Sequence, residues 1–120
     1  MKDSLKVGLS GERTYTVTDD MSPAHLPAKV LSTPAMIGLI EGTCLQTAQE
    51  HLESGEITVG VHVSFSHTGP AMSGEEVTVK ARLSEMDRRR QTWEVEVLSP
   101  RGQISEGTHK RVVVDASRFG

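Results

Sequence analysis

Three polar residues stand where their side chains could share one reaction centre: Thr33, Glu41 and His67. Glu41 falls inside the apolar repeat of a segment with helical periodicity, between Ile37 and Leu45. A carboxylate with apolar neighbours loses part of its hydration, which makes it a better base or nucleophile. An imidazole can carry a proton at neutral pH, and a hydroxyl can position water or a carbonyl group. Such a set is typical of base or nucleophilic catalysis at a carbonyl centre.

Each of the three residues also has a purely structural interpretation. Glu41 could pair with a lysine or arginine of a partner chain, since buried charges are usually paired. His67 could be a hydrogen-bonded residue at a strand end, and Thr33 could serve mainly as the N-cap of the helix. Thr33 and Glu41 are separated by about 12 Å along a helix axis, so one substrate meets both only if Thr33 turns inward. Residue types and spacing alone do not establish a catalytic set.

The helix that would carry Thr33 and Glu41 is the strongest element in the sequence. Pro34 suits a first-turn position, and Ser54-Gly55 supplies a stop. Gly38 and Gly42 share one face, and because mid-helix glycine costs roughly 1 kcal/mol against alanine, we expect another backbone or a ligand to approach there. The apolar stripe consists of Ile37, Ile40, Cys44 and Ala48, flanked by Leu45 and Leu52.

Segments with strand-like alternation lie on both sides of this helix. Residues 12–18 precede it, and residues 58–67, 75–86, 91–98 and 103–115 follow it with short turns between them. Short links between alternating strands favour an antiparallel meander with one apolar face. The sequence therefore predicts an α+β protein that matches the hotdog fold, with an antiparallel sheet of about five strands wrapped around one long helix. The first meander strand should place one row inward: Val59, Val61, Val63, Phe65 and His67.

Size and composition set the broad class. The 120 residues, taken as a single domain over residues 1–120, carry a net charge of -3 with both signs mixed, which argues against a nucleic-acid surface. The single cysteine, Cys44, excludes an internal disulfide, and no apolar run reaches signal-peptide or membrane-spanning length, so we expect a cytoplasmic protein. A folded surface of roughly 6,000 Å² leaves little room for a deep private pocket. A dimer interface would complete the site.

Three segments together carry a family resemblance: TPAMIGLIEGTC, VGVHVSFSHTGPAMSGEEVTVKARL and GTHKRVVV. They resemble the fluoroacetyl-CoA thioesterase family of hotdog proteins, from about Val7 to Phe119. In that family a threonine, a glutamate eight residues later and a histidine on the following strand form the catalytic set. Thr33, Glu41 and His67 occupy these places.

The resemblance implies hydrolysis of an acyl-CoA thioester by these three residues. The glutamate would attack the acyl carbonyl or activate water, the histidine would assist proton transfer, and the threonine hydroxyl would position the site. The resemblance further implies a homodimer or a tetramer, with sheets joined edge to edge and coenzyme A near the subunit interface. It implies no cofactor besides the coenzyme A of the substrate. The charge balance and the absence of a long apolar run predict neither a nucleic-acid nor a membrane partner.

One segment departs from the family. Members selective for fluoroacetyl-CoA carry aromatic residues in a lid before the helix, whereas SPAHLPAKVLST, residues 22–33, contains no Phe, Tyr or Trp. We therefore expect a short-chain or small aryl acyl-CoA substrate.

Two rival functions remain open, because fold does not dictate function. They are a non-catalytic acyl-CoA-binding or regulatory hotdog module, and an enoyl-CoA hydratase.

Four further residues are candidate substrate contacts. Gly69 follows His67 closely, so its backbone could approach a thioester, although a plain strand-exit turn explains it equally well. Arg88, Arg89 and Arg90 occupy a predicted hairpin tip and could meet coenzyme A phosphates. Charged hairpin tips are more often simply solvated.

The remaining histidines and the cysteine suggest no separate chemistry. His109 alternates with Lys110, and we expect it to face solvent or a partner. His62 should point away from His67, so the two cannot chelate one metal ion, and we expect no metal site. Cys44 lies on the apolar stripe and is interpreted as a small apolar filler.

Overall fold

The computed structural model describes residues 1–119. These residues form strand β1 (Ser10–Thr16), helix α1 (Thr33–Gln49) and strands β2 (Glu56–Phe65), β3 (Glu76–Asp87), β4 (Arg90–Ser99) and β5 (Gly102–Asp115), with short 3-10 helices at Asp19–Met21 and Ala116–Arg118. The strands make one antiparallel sheet in the order β1-β3-β4-β5-β2. The predicted α+β arrangement is confirmed, and the strand bounds differ from prediction by at most 2 residues.

Helix α1 begins at Thr33, but its N-cap is Ser32 rather than the predicted Thr33. The Ser32 side-chain oxygen accepts a hydrogen bond from the backbone N–H of Ala35 at 3.2 Å. This bond satisfies one of the donors that a helix start leaves unpaired. The Thr33 hydroxyl is therefore not needed for capping and can bond elsewhere.

The helix packs one stripe of side chains onto the inner face of the sheet. Its buried residues are Met36, Ile40, Thr43, Cys44 and Ala48. They meet the inward rows of the central strands, which are Val77, Val79, Ala81 and Leu83 on β3 and Trp93, Val95 and Val97 on β4. Burial of these apolar side chains is the main stabilising contribution to the fold.

Glu41 lies beside this stripe and not within it. The Glu41 side chain is 42% exposed, and Leu45, one turn further along, is 37% exposed. The prediction that apolar neighbours dehydrate Glu41 is therefore wrong for the single chain. The helix is rotated so that Met36 takes the place in the core that the sequence pattern had given to Ile37.

Strand β2 contains a β-bulge that divides its predicted inward row. Gly60 pairs with Arg111 and His62 pairs with Lys110, which leaves Val61 without a partner between them. An extra residue in one strand reverses the alternation of side chains beyond it. Val63 consequently shares the inner face with its pair His109, whereas Val59 lies on the outer face. The predicted single row is wrong across the bulge.

Strand β2 is also an edge strand of the sheet. Two apolar side chains along it are open to solvent, Val61 at 51% and Val63 at 44% exposed. An exposed edge with apolar side chains and unpaired backbone groups favours pairing with another strand.

The two helix glycines have open space around them within residues 1–119. A Cβ on Gly38 would meet no atom within 4 Å, and a Cβ on Gly42 would meet the Tyr15 hydroxyl at 3.9 Å. No backbone of the same chain approaches them, so the expected approach of another backbone or a ligand stays a prediction. In the described part of the chain, no helix has the length and apolar character required to cross a membrane.

Candidate active site

Thr33 and His67 come into direct contact at the start of helix α1. The Thr33 Oγ1 atom lies 2.7 Å from His67 Nδ1, a hydrogen bond in which either group could donate. His67 follows the end of β2 and is flanked by two anchored residues. The N–H of Ser66 donates to the carbonyl of Glu106 at 3.0 Å, and the N–H of Thr68 donates to that of Ile104 at 2.8 Å. The imidazole is thus fixed between β5 and the helix N-terminus.

Glu41 belongs to a second polar group, two helical turns further along α1. Its Oε2 atom lies 3.6 Å from Arg111 Nη1 and 4.0 Å from His109 Nε2. A Cβ at Gly60 would lie 2.6 Å from the same carboxylate oxygen, so the carboxylate occupies space that only glycine leaves free. Glu41 therefore pairs with a cation of its own chain, and the alternative of a partner-chain cation stays a prediction.

Arg111 is held rigidly beneath this carboxylate. Its Nε atom donates to Thr58 Oγ1 and its Nη2 atom to the Thr58 carbonyl, both at 2.9 Å, and Arg111 is only 4% exposed. Burial lowers the pKa of Arg111, an effect that nearby Cys44 and Glu41 oppose.

Cys44 lies in the core near the same group. Burial raises the pKa of its thiol to about 12, although Arg111 acts in the opposite direction. The thiol is therefore protonated at neutral pH and is not a nucleophile. This agrees with its interpretation as an apolar filler.

The structure brings Thr33 and His67 together but leaves Glu41 apart from them in one chain. Among residues 1–119, no hydrogen bond or ion pair joins Glu41 to Thr33 or His67. The carboxylate rests against Gly60, and from Gly60 to His67 the extended chain runs roughly 20 Å. A wide groove crosses the outer face of the sheet, and its lining includes none of the three residues.

The weaker candidates lie in other places. Gly69 packs against β5, where an added Cβ would lie 3.2 Å from the Ile104 side chain. Arg88 lies at the β3–β4 hairpin tip with φ 57°. The Nη1 atom of Arg89 lies 3.8 Å from Glu56 Oε2. Glu56 begins β2, so this tip is at the opposite end of that strand from His67. Arg90 is exposed and pairs with Val112.

The sequence reasoning missed most of the group around Glu41. His109 is fully buried on the inner face of β5, so the expectation that it faces solvent or a partner is wrong. Arg111, Thr58 and Gly60 were not singled out at all. The available signal was the alternation of His109 and Arg111 with buried Val113, which places all three on one face. Within residues 1–119, no group of three or more His, Cys, Asp or Glu could hold a metal ion.

Comparison with known proteins places this geometry in a family. A family model described as fluoroacetyl-CoA-specific thioesterase matches residues 12–117. The chain is 30% identical to a fluoroacetyl-CoA thioesterase of Streptantibioticus cattleyicolor, over 99% of this chain and 92% of that protein.

Solved structures agree in fold. A solved structure of the fluoroacetyl-CoA thioesterase FlK superposes with a TM-score of 0.92 at 29% identity, covering 98% of this chain and 93% of that one. A Thermus thermophilus protein described as a thioesterase superfamily member has a TM-score of 0.86 at 24% identity, covering 95% and 87% of the two chains. This likeness supports the hotdog fold alone. On the family match and the curated relative, the chain belongs to the fluoroacetyl-CoA-specific thioesterase family.

Proposed function

We propose that the protein hydrolyses acyl-CoA thioesters to a free acid and coenzyme A. The observation that carries this proposal is the 2.7 Å contact between Thr33 and His67 at the N-terminus of the helix that also bears Glu41. The relatives support it: one is named fluoroacetyl-CoA thioesterase, and a variant of FlK has been solved with fluoroacetate and CoA.

Each of the three residues has a distinct role in this reaction. Glu41 takes a proton from water, whose oxygen bonds to the thioester carbon, or it attacks that carbon itself. The C–S bond then breaks, and His67 delivers the proton that the departing sulfur requires. If Glu41 itself attacks, water then hydrolyses the acyl–Glu41 anhydride, which releases the acid and restores the carboxylate. The Thr33 hydroxyl orients His67.

A second copy of the chain completes the site in this proposal. Strand β2 has a free edge with exposed Val61 and Val63, and Glu41 is half-exposed beside it. Two β2 edges paired antiparallel, with the two-fold axis between Val63 and Ser64, would set Gly60 opposite the partner's His67. The Glu41 carboxylate that rests on Gly60 would then face the Thr33–His67 pair of the other chain.

The acyl group is short or a small aryl group in this proposal. The segment before the helix contributes aliphatic side chains, with Leu26 at 38% exposed, and it is tied to the 71–73 loop through a bridge between Val30 and Met72. No Phe, Tyr or Trp in residues 22–33 narrows the site. Arg88, Arg89 and Arg90 remain candidates for coenzyme A phosphates. Cytoplasmic localisation remains part of this proposal, which calls for no cofactor other than the substrate's own coenzyme A.

The test is a panel of acetyl-, fluoroacetyl-, butyryl- and benzoyl-CoA, with a thiol reagent to detect released coenzyme A. We expect release with at least one of them. Glu41→Gln should lower kcat by at least about 100-fold, because a neutral amide cannot accept a proton or attack carbon. Glu50→Gln, an exposed change at the C-cap of the same helix and away from Glu41, is the matched control and should retain wild-type turnover.

Three outcomes would contradict parts of this proposal. A rise in melting temperature with acyl-CoA but no thiol release would indicate the non-catalytic binding module. Loss of enoyl absorbance with crotonyl-CoA, without thiol release, would indicate hydration. Wild-type turnover in a folded Glu41→Gln variant would remove Glu41 from the mechanism.

A further inference from the structure

We infer that His109 and Thr58 are positioning residues that hold Arg111 against the Glu41 carboxylate, and that His109 does so only as a neutral imidazole with its proton on Nδ1. This inference rests on the proposed role of Glu41. It concerns the buried layer beneath the carboxylate, away from the substrate side.

The contacts of His109 determine where its proton lies. Its Nδ1 atom is 2.8 Å from the backbone carbonyl of His62, and a carbonyl oxygen can only accept, so Nδ1 carries a hydrogen. Its Nε2 atom is 3.2 Å from Arg111 Nη1, and a guanidinium can only donate, so Nε2 must offer its lone pair. Both ring nitrogens are therefore assigned, and the ring is neutral.

The neutral state decides which group pairs with Glu41. Glu41 Oε2 lies 4.0 Å from His109 Nε2 and 3.6 Å from Arg111 Nη1. Because His109 Nε2 bears no proton, it cannot donate to the carboxylate, and the positive charge facing Glu41 belongs to Arg111. Burial lowers the pKa of His109, in agreement with this assignment.

Arg111 is fixed by three acceptors at once. Thr58 Oγ1, the Thr58 carbonyl and His109 Nε2 take hydrogen bonds from its Nε, Nη2 and Nη1 atoms respectively. One hydrogen of Nη1 remains to point towards Glu41. Since the guanidinium fork is planar and rigid, these bonds determine the direction of that hydrogen.

Protonation of His109 would dismantle this arrangement. The Nε2 lone pair would be lost, and the imidazolium would repel Arg111 on its own strand and compete for Glu41 on α1. His62 on β2 is the other titratable group that acts on the ring, and it also lowers the pKa of His109. The residue opposite on β4, Trp93, is uncharged.

The sign of the pH effect follows from the lowered pKa. Between the pKa of His109 in the fold and its ordinary value of about 6.5, the unfolded chain binds more protons than the folded one. The contribution of His109 to stability is therefore complete above that ordinary value. It decreases as the pH falls towards the lowered pKa.

Two substitutions at His109 distinguish the roles of its two ring nitrogens. Gln places an oxygen near Nε2 and keeps the acceptor for Arg111, whereas Asn places an N–H near Nδ1 and loses that acceptor. We expect His109→Gln to stay within about threefold of wild-type kcat/KM, and His109→Asn to fall by about tenfold or more. Thr58→Ser and Thr58→Val form a second pair, in which only Val loses the side-chain acceptor.

Two readouts distinguish this role from a general loss of packing. In the wild type, the decrease of kcat/KM at low pH should include the protonation of His109. His109→Gln has no such group, so its decrease at low pH should involve one ionisation fewer. Imidazole nitrogen NMR, which needs no activity, should show His109 protonated on Nδ1 alone at pH 7. An Nε2–H or doubly protonated ring, or equal activity of the Gln and Asn variants with unchanged melting temperature, would overturn the inference. Failure of the thioesterase proposal would leave the NMR result intact.

Discussion

At the scale of single residues, the proposed role of Thr33 depends on its hydroxyl oxygen alone. Its hydroxyl reaches His67 Nδ1, while the neighbouring Ser32 caps the helix. Ser32 therefore caps the helix and Thr33 contacts His67, although the sequence alone allowed either residue to be the cap. Removing the Thr33 hydroxyl should affect catalysis without affecting the helix.

Thr33→Val removes that hydroxyl and keeps the shape, whereas Thr33→Ser keeps it. A hydrogen bond to a group that becomes charged contributes about 1.5–3 kcal/mol, so Thr33→Val should lower kcat by roughly 10- to 100-fold. Thr33→Ser should remain near wild type. Ser32→Ala, by contrast, should lower the melting temperature through the lost cap. Steady-state kinetics and thermal melts on the three variants check this, and a loss of stability in Thr33→Val with normal kcat would contradict it.

At the scale of elements, Gly60 and Gly38 differ in the free space that surrounds them. Gly60 faces the helix across from Glu41, where an added Cβ would lie 2.6 Å from Glu41 Oε2, 3.2 Å from His109 Cε1 and 3.3 Å from Arg111 Nη1. Gly38 lies on the same helix as Glu41 but has open surroundings. The same substitution should therefore act oppositely at the two positions.

Gly60→Ala should displace the carboxylate and lower kcat/KM by about tenfold or more, because small misplacements of a reacting group are costly. Gly38→Ala should raise the stability by roughly 0.5–1 kcal/mol, through helix propensity, without changing turnover. Kinetics and denaturant unfolding check both. A loss of stability or activity in Gly38→Ala would indicate that a second chain or the ligand approaches this glycine after all.

At the scale of the whole molecule, the separation of Glu41 from His67 decides how many chains make one site. If two chains share the site, an inactive Glu41→Gln chain and an inactive His67→Ala chain can complement each other in a mixed dimer. That dimer would hold one intact site and one doubly defective site. If each chain holds its own complete site, both sites of the mixed dimer are defective.

After co-refolding equal amounts of the two variants, half of the dimers are mixed, and we expect about one quarter of wild-type activity. Mixing Glu41→Gln with the double variant should restore none. Light scattering should show the dimer, and Val61→Lys should weaken it by placing charge on the β2 edge. Activity in a stable monomer, or no recovery in confirmed mixed dimers, would exclude a shared site.

The order of the elements and the chemical types at the site can be predicted from local patterns in the amino-acid sequence. Proline, glycine and the switch from helical to alternating periodicity mark the start of α1 and the strands to within two residues, because these signals are local. Helix α1 ends at Gln49, earlier than the stop predicted at Ser54-Gly55. Thr33, Glu41 and His67 were identifiable as polar residues at unusual positions, and their roles remain predictions. The assignment of residues 1–120 to one domain likewise remains a prediction.

Tertiary structure alone decided which polar groups meet. The bulge at Val61 turned Val63 inward and left Gly60 facing Glu41, and the pairing of β2 with β5 buried His109 and Arg111 under that carboxylate. Strand register depends on contacts between residues about 50 positions apart in the chain, such as Thr58 with Arg111. No local pattern contains that information, because a bulge reverses every side chain beyond it without changing the residues themselves.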